Sequence, residues 1–520
     1  MTILNIYERV YWLNFTQFVE DNTKTYLQRI DKSERKKIGQ FFTPALIAQF
    51  MGNQVKSVEE TVWILDAGAG SGILTAALLD MIAGLPHVKT INVDLYENNE
   101  SILPLLNDNM NKLKAEIENI GKNLTFTICN NNFILDNELV WSGLVQNPKK
   151  YDIVISNPPY KKINKDSPEA SVMGSIVYGQ PNLYFLFMAM GVQLLKDNGQ
   201  IIYIVPRSFT SGYYFTAFRR WFFDKVKISN LHLFISRDSI FSCDSILQET
   251  IILAAVKTDI QPETITITES EDAGSILLKK EFTIPYSSCV KSDINNFMFI
   301  PTSEEDIKIL DFINQWHYTL SDIGFIMKTG LVVDFRETEW LRSSPDDDTV
   351  PLFWAYNLDK GGMDFPVTVD DKPQFLLKAM QTRRLMMQNK NYIFIKRFTS
   401  KEEKKRLQCS LYFSDDFIEF DYISTENHMN FLTKKSGQIS KEEMFGLYVI
   451  LNSSYMDRYF RLLNGSTQVN ANEINSIPFP SLNDIISIGR SALMKKDLCE
   501  NICDKLLEDK YSLQPVYNVI

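Results

Sequence analysis

Four consecutive residues, Asn157-Pro158-Pro159-Tyr160, carry the most pointed chemistry in this 520-residue chain. They follow an apolar run over residues 151–156 that reads as a strand. Two prolines fix the backbone, so a main-chain carbonyl and the Asn157 side-chain oxygen can point together at one planar NH2 group. The Tyr160 ring adds a stacking face. These are the contacts needed to alkylate an amide or an exocyclic amine. A plain chain stop at a strand end would account for the prolines, but not for Asn and Tyr flanking them.

A second constellation lies upstream, in Asp66-Ala67-Gly68-Ala69-Gly70-Ser71-Gly72. Gly68, Gly70 and Gly72 let the backbone turn sharply and let a ligand approach the first turn of the next helix. Any tight strand-to-helix turn uses glycines, so the motif alone does not require a ligand. Glu97 sharpens it: an acid at the end of the following strand can take both hydroxyls of a ribose. The chain has no GxxxxGK[ST] segment, so a phosphate-cradling loop is unsupported. A ligand with a ribose and no phosphate fits better, and S-adenosylmethionine is one.

Both motifs need a sheet that presents loops along one edge. Short apolar runs at 62–66, 91–96, 124–129, 151–156, 200–205, 231–235 and 250–256 alternate with helical patterns at 73–82, 101–120, 184–195 and 215–223. Alternation with buried strands predicts an α/β fold, a doubly wound Rossmann-like sheet with helices on both faces. Thr43 and Pro44 suit the start of a helix from about residue 45, and residues 1–38 read as a helical arm. After about residue 315 the alternation fades into strands at 325–335, 392–398 and 411–422 with longer connections. Two domains are expected, 1–315 and a mixed α/β domain over 316–520, as the length requires.

Over much of residues 35–256 the chain resembles the DNA adenine-N6 methyltransferases of bacterial restriction–modification systems. The likeness is to the stand-alone group whose cofactor motifs precede the catalytic motif and whose target-recognition domain is C-terminal. Gly39-Gln40-Phe41-Phe42-Thr43-Pro44 is similar to the loop that covers the methionine part of S-adenosylmethionine. Asp66 to Gly72 resembles the first glycine motif, and Tyr96-Glu97 the ribose-binding acid. Asn131-Asn132-Phe133 resembles the segment at the cofactor adenine, with Asn132 in place of the usual Asp and still able to accept through its oxygen. Asn157 to Tyr160 matches the catalytic motif in full. Arg237-Asp238-Ser239-Ile240-Phe241 resembles the segment whose aromatic residue stacks on an extruded base, which nominates Phe241 beside Tyr160. The resemblance implies a class I methyltransferase domain, double-stranded DNA as substrate, base flipping, no metal, and a cognate endonuclease as a separate protein.

The second domain resembles the family's target-recognition domains at 329–336 and at 463–480. Between them, Arg383, Arg384, Lys396, Arg397, Lys404, Lys405 and Arg406 face only Glu402 and Glu403 over residues 378–406, with Tyr392, Phe394 and Phe398 interleaved. Such a stretch suits contact with DNA phosphates, or forms a solvated face. It matters because the whole chain carries -10 and has a pI near 5.2, against the character of a general nucleic-acid binder. Six scattered cysteines and four scattered histidines predict reduced thiols and no metal site. No span or signal sequence is read, so a cytoplasmic protein is expected. Pro345-Asp346 with Asp370-Asp371-Lys372 loosely matches a nuclease pattern, but no separate nuclease domain has room. Alternatives that remain are a methylating subunit of a larger complex, an RNA or protein-glutamine methyltransferase, and a non-catalytic DNA-binding module.

Overall fold

The computed structural model describes residues 14–29, 42–236, 249–291, 295–359, 361–367 and 372–513. The chain divides into two compact units, Met1–Thr302 and Ser303–Ile520.

The first unit is built on nine strands: β1 (Thr61–Ala67), β2 (Thr90–Tyr96), β3 (Asn123–Cys129), β4 (Tyr151–Ser156), β5 (Leu195–Pro206), β6 (Lys227–Phe234), β7 (Thr250–Val256), β8 (Thr264–Ser270) and β9 (Lys280–Pro285). They lie in the order β3-β2-β1-β4-β5-β7-β6-β8-β9. β1 to β5 are parallel, and β7 runs antiparallel between β5 and β6. The central strands are apolar along their length because helices cover both faces. The helix Ile73–Ile82 is correspondingly apolar nearly all round, and nearly all of it is buried. Strand order reverses between β1 and β4, the place where an open α/β sheet forms its ligand crevice. Asp66 pairs in register with Leu95 of β2 and Ile155 of β4, so the carboxyl ends of these three strands finish side by side. The Ser156 hydroxyl donates to the Ala67 carbonyl and ties two of those ends together.

The seven expected strands are present. β8 and β9 extend the sheet beyond them: their alternating Thr, Glu and Lys suit an edge with one wet face and carry little apolar signal. The expected N-terminal helical arm includes Phe15–Arg29, which is docked rather than free. The Asp80 carboxylate accepts from the Phe15 and Thr16 main-chain N–H groups at 2.7 and 2.9 Å, capping the helix from a distant element.

In the second unit, Phe325–Thr329, Met429–Lys434, Tyr392–Lys396 and Cys409–Tyr412 form an antiparallel sheet in that order. A mixed five-stranded sheet includes Thr349–Phe353 and Tyr422–Thr425, and helices make up most of the C-terminal part. The expected strand at 411–422 is two strands, because the 3-10 turn Ser414–Phe417 interrupts it. Helices Lys441–Asn452 and Leu482–Leu493 cross backbone to backbone: a Cβ on Gly489 would lie 1.8 Å from the Glu442 carbonyl oxygen. The boundary falls at 302/303 rather than 315/316. Helix Glu304–Ile313 belongs to the second unit, where the buried Asp306 pairs with Arg458 at 2.6 Å.

Candidate active site

One cavity opens at the carboxyl ends of β1, β2 and β4. Of the residues singled out above, Phe42, Gly68, Gly70, Glu97, Asn132, Phe133, Asn157, Pro158 and Pro159 line it. Asp66, Thr43, Pro44, Gly72 and Tyr160 stand behind that lining.

The glycine loop is shaped by β2. The Gly68 and Ala69 N–H groups both donate to the Tyr96 carbonyl at 2.9 Å, folding the loop over the strand end. Gly68 and Gly70 have φ of +86° and +55°, values that strain any side-chain-bearing residue. The Gly70 N–H donates to Glu97 Oε2 at 2.9 Å, and the Asn99 N–H donates to Glu97 Oε1 at 2.8 Å. The Glu97 carboxylate, 4% exposed, is thus fixed in direction at the cavity wall. A carboxylate oxygen so held can accept from a hydroxyl as well as from an N–H.

Asp66 is fully buried, and Thr75 Oγ1 donates to its Oδ2 at 2.7 Å. Its Oδ1 has no partner. Burial pushes the carboxyl up to about 7; the Thr75 hydrogen bonds oppose this and the Glu97 charge adds to it. An unpaired buried carboxyl oxygen, two residues before the cavity-lining Gly68, is what a donor-bearing, positively charged ligand would satisfy.

The catalytic-type motif is held from two sides. Asn157 Nδ2 donates to Thr43 Oγ1 at 3.2 Å, which makes the side-chain oxygen the atom able to accept from an amine. The Tyr160 hydroxyl donates to the Ile204 carbonyl of β5 at 2.9 Å, and burial raises its pKa well above the usual phenol value. Its ring is therefore fixed in orientation and its hydroxyl stays neutral. Pro158 is buried and Pro159 exposed. Phe42 approaches the loop closely: its ring would lie 3.7 Å from a Cβ on Gly70.

Asn132 lines the cavity and also has a local structural part. Its side-chain oxygen accepts from the Ile134 and Leu135 N–H groups at 3.1 and 3.2 Å, capping the short helix Phe133–Asp136. Its nitrogen donates to Glu169 Oε1 at 2.9 Å. Asn132 shapes the cavity as a cap, with its acceptor already occupied. Phe133 is buried with its ring edge-on to Tyr96 and tilted on Phe187, at centroid distances of 5.1 and 5.0 Å. Sequence reasoning missed Phe187 and Leu183; the signal available was their i, i+4 spacing at the start of helix Leu183–Leu194. Phe241 and residues 39–41 lie outside the described residues, as do Asp370 and Asp371.

The basic stretch of the second unit divides. Arg383, Arg384 and Lys404 are exposed, Arg384 pairing with Glu337 at 3.1 Å. Lys396 pairs with Glu403 at 3.4 Å, and the half-buried Arg397 donates to the Asn427 carbonyl at 2.9 Å. Lys405 and Arg406 are not available to phosphates. Lys405 bonds Glu500 at 3.1 Å and the side chain of Asn452 at 2.9 Å. Arg406, 1% exposed, donates to Thr399 Oγ1, Asn464 Oδ1 and the Ser466 carbonyl at 3.1, 3.3 and 2.7 Å. It braces the 463–470 segment from within. Among the described residues no group of three His, Cys, Asp or Glu gathers to hold a metal, and no helix is long and apolar enough to cross a membrane.

Sheet order, glycine loop and edge acids together define a class I methyltransferase fold. A sequence profile described as Eco57I restriction-modification methylase matches residues 5–241. Type II methyltransferase M.BsuBI of Bacillus subtilis is 32% identical over 484 residues, 89% of this chain and 93% of that protein. Type II methyltransferase M.PstI of Providencia stuartii is 33% identical over 454 residues, 87% of this chain and 89% of that protein. The chain belongs to the type II methyltransferases of restriction–modification systems. Among solved structures, the Type IIL restriction-modification enzyme MmeI in complex with DNA has the same fold at TM-score 0.55 and 11% identity, covering 96% of this chain and 75% of that one.

Proposed function

We propose that this protein transfers a methyl group from S-adenosylmethionine to N6 of adenine in duplex DNA, marking sites that a separate cognate endonuclease would cut. The observation that carries the proposal is Asn157-Pro158-Pro159-Tyr160 at the end of β4, whose first three residues line the same cavity as Gly68, Gly70 and Glu97. The orphaned Asp66 oxygen and the fixed Glu97 carboxylate fit that cofactor. Glu97 would hold the ribose hydroxyls, Phe133 would pack on the adenine, Phe42, Thr43 and Pro44 would cover the methionine end, and Asp66 would face the cationic part. When bound, S-adenosylmethionine supplies an electrophilic methyl carbon.

The residues of the chain then act on the target base. Its amino group is paired inside the duplex, so the nucleotide must leave the stack. Tyr160 offers one ring face to the extruded base, and Phe241 is the proposed second ring. The amino lone pair of adenine is shared with the ring and is a poor nucleophile. Asn157 Oδ1 and the Pro158 carbonyl would accept the two N6 hydrogens, favouring a pyramidal nitrogen with its lone pair aimed at the methyl carbon. Positioning and electrostatics would suffice for a direct in-line transfer in which the N6–carbon bond forms as the sulfur–methyl bond breaks, the thioether leaves neutral, and the methylated nitrogen sheds one proton to water.

Asn157→Ala tests this reading. Removing one of two acceptors should lower methyl transfer to adenine in duplex DNA by at least about 100-fold, while calorimetric binding of S-adenosylmethionine stays near wild type. Full activity in the variant would refute the mechanism. Methylation of RNA or a protein glutamine in preference to duplex DNA would refute the substrate assignment.

A further inference from the structure

Three exposed tyrosines beside the catalytic loop have no part in the site described above. Tyr178, Tyr213 and Tyr214 are 51%, 47% and 53% exposed, although large aromatic rings are ordinarily buried. They form one cluster. Tyr178 meets Tyr213 edge-on at 5.2 Å between centroids, with hydroxyls 3.3 Å apart, and lies 6.5 Å from Tyr214 at an interplanar angle of 33°. The cluster is built rather than accidental. A Cβ on Gly179 would fall 2.3 Å from the Tyr214 ring, so only glycine lets the Tyr178 loop lie against that ring.

Its place in the fold is specific. Tyr178 sits in the loop that leaves β4 through Tyr160, and the other two follow the carboxyl end of β5. Tyr184 packs between the catalytic motif and the residue that follows Tyr214: its ring is 6.4 Å from Tyr160 and 5.7 Å from Phe215. The Tyr178 loop closes on itself where Ile163 N–H donates to the Pro181 carbonyl and Leu183 N–H to the Lys161 carbonyl, at 3.0 and 2.9 Å. Lys161 and Lys162, at the start of that loop, are exposed and have no acidic partner among the described residues. Exposed aromatic faces, and unpaired cations that directly follow the residue that would stack the target base, match the chemistry of nucleic acid whose stack has been opened.

We propose that Tyr178, Tyr213 and Tyr214, with Lys161 and Lys162, form a DNA-contacting surface at the rim of the active site. The tyrosines take bases or sugars next to the extruded nucleotide, and the lysines take its flanking phosphates. The inference rests on the duplex-DNA reading above and assigns that substrate a docking surface on the methyltransferase unit itself.

The test uses the full chain and a short duplex carrying its site, mapped from the adenines modified on expression in a methylation-free host. With duplex at saturation, tetranitromethane nitration of the three tyrosines, read by mass spectrometry, should fall several-fold relative to the free protein. Tyr178→Ser/Tyr214→Ser should weaken duplex binding roughly 5- to 150-fold, the range one stacked base spans. Lys161→Ala/Lys162→Ala should flatten the salt dependence of log K by about 0.9 for each phosphate no longer engaged. S-adenosylmethionine binding should be unchanged in both variants. Unchanged nitration of the wild-type protein under saturating duplex, or wild-type duplex affinity in the tyrosine variant, overturns the surface alone. Failure of the wild-type protein to bind any duplex overturns the substrate reading and the surface with it.

Discussion

Replacing Asp66 by Asn should stabilise the ligand-free protein, and increasingly so as pH rises. The Asp66 carboxyl is fully buried with Oδ1 unpaired, and its value rises from 3.8 to about 7 through burial first, with Glu97 adding and Thr75 opposing. A carboxyl whose folded value lies above its unfolded value binds its proton more tightly when folded. Its favourable contribution is therefore complete below about pH 4 and is lost as pH climbs towards 7. A rise of about three pH units corresponds to about 4 kcal/mol as an upper bound. The amide of the Asp66→Asn variant has no proton to lose, so the variant's melting temperature minus that of wild type should climb between pH 5 and pH 8. A gain of about 2 kcal/mol would move Tm by roughly 3 °C or more in a unit of this size. Thermal melts of ligand-free protein across that range measure it. The same geometry predicts that a cationic ligand beside Asp66 expels its proton. Near pH 6, binding of S-adenosylmethionine should release close to one proton, seen as a dependence of calorimetric enthalpy on the buffer's ionisation enthalpy. A Tm difference that does not vary with pH, or a buffer-independent enthalpy, would refute the reasoning.

Glu97→Gln should weaken S-adenosylmethionine binding about tenfold or more by calorimetry, since a carboxylate accepting from hydroxyls is replaced by a neutral amide. Arg406→Ala should cost about 2–4 kcal/mol by denaturant titration, because three buried acceptors lose their donor. Arg383→Ala and Lys404→Ala, at exposed positions, should stay within about 0.5 kcal/mol and show any effect in the salt dependence of DNA binding. Gly489→Ala should destabilise the second unit by about 1–3 kcal/mol or more, measured by hydrogen exchange in helices Lys441–Asn452 and Leu482–Leu493, because its Cβ would collide with the Glu442 carbonyl.

The parts of the fold legible in sequence are those where the main chain dictates residue type over a short stretch. Asp66 to Gly72 and Asn157 to Tyr160 are of this kind: positive φ demands glycine at 68 and 70, and a rigid exit from β4 demands the two prolines. The apolar strands of a doubly wound sheet are legible for the same reason, since two covered faces leave no room for polar residues. β8 and β9 fall outside that rule: β8 alternates Thr with Ile, and the edge strand β9 is largely polar and exposed. Helix Glu304–Ile313 lies on the far side of the expected boundary because helical periodicity says nothing about which unit the helix packs on. Asn132 shows a subtler limit. The same side chain suits a ligand acceptor and a helix cap, and its oxygen here accepts from the backbone N–H groups of residues 134 and 135.

Charge is the least legible property, and the reason is mechanical. Lys404 and Arg406 stand two residues apart in one basic run, yet one is exposed and the other is sealed inside against Thr399, Asn464 and Ser466. A long side chain selects its partners from whatever the tertiary fold brings within reach, so a run of cations does not by itself define a surface. Exposed aromatic residues are no easier to read. Tyr178, Tyr213 and Tyr214 come from two separate loops, and the fold sets them in solvent in loops that follow β4 and β5. For an acidic protein this changes where DNA contact should be sought. A net charge of -10 repels DNA at long range, so affinity for it must come from local groups such as exposed rings and unpaired lysines. In the first unit those groups gather at the carboxyl edge of a single sheet. The proposed cofactor, base and duplex contacts can therefore be tested separately by substitution.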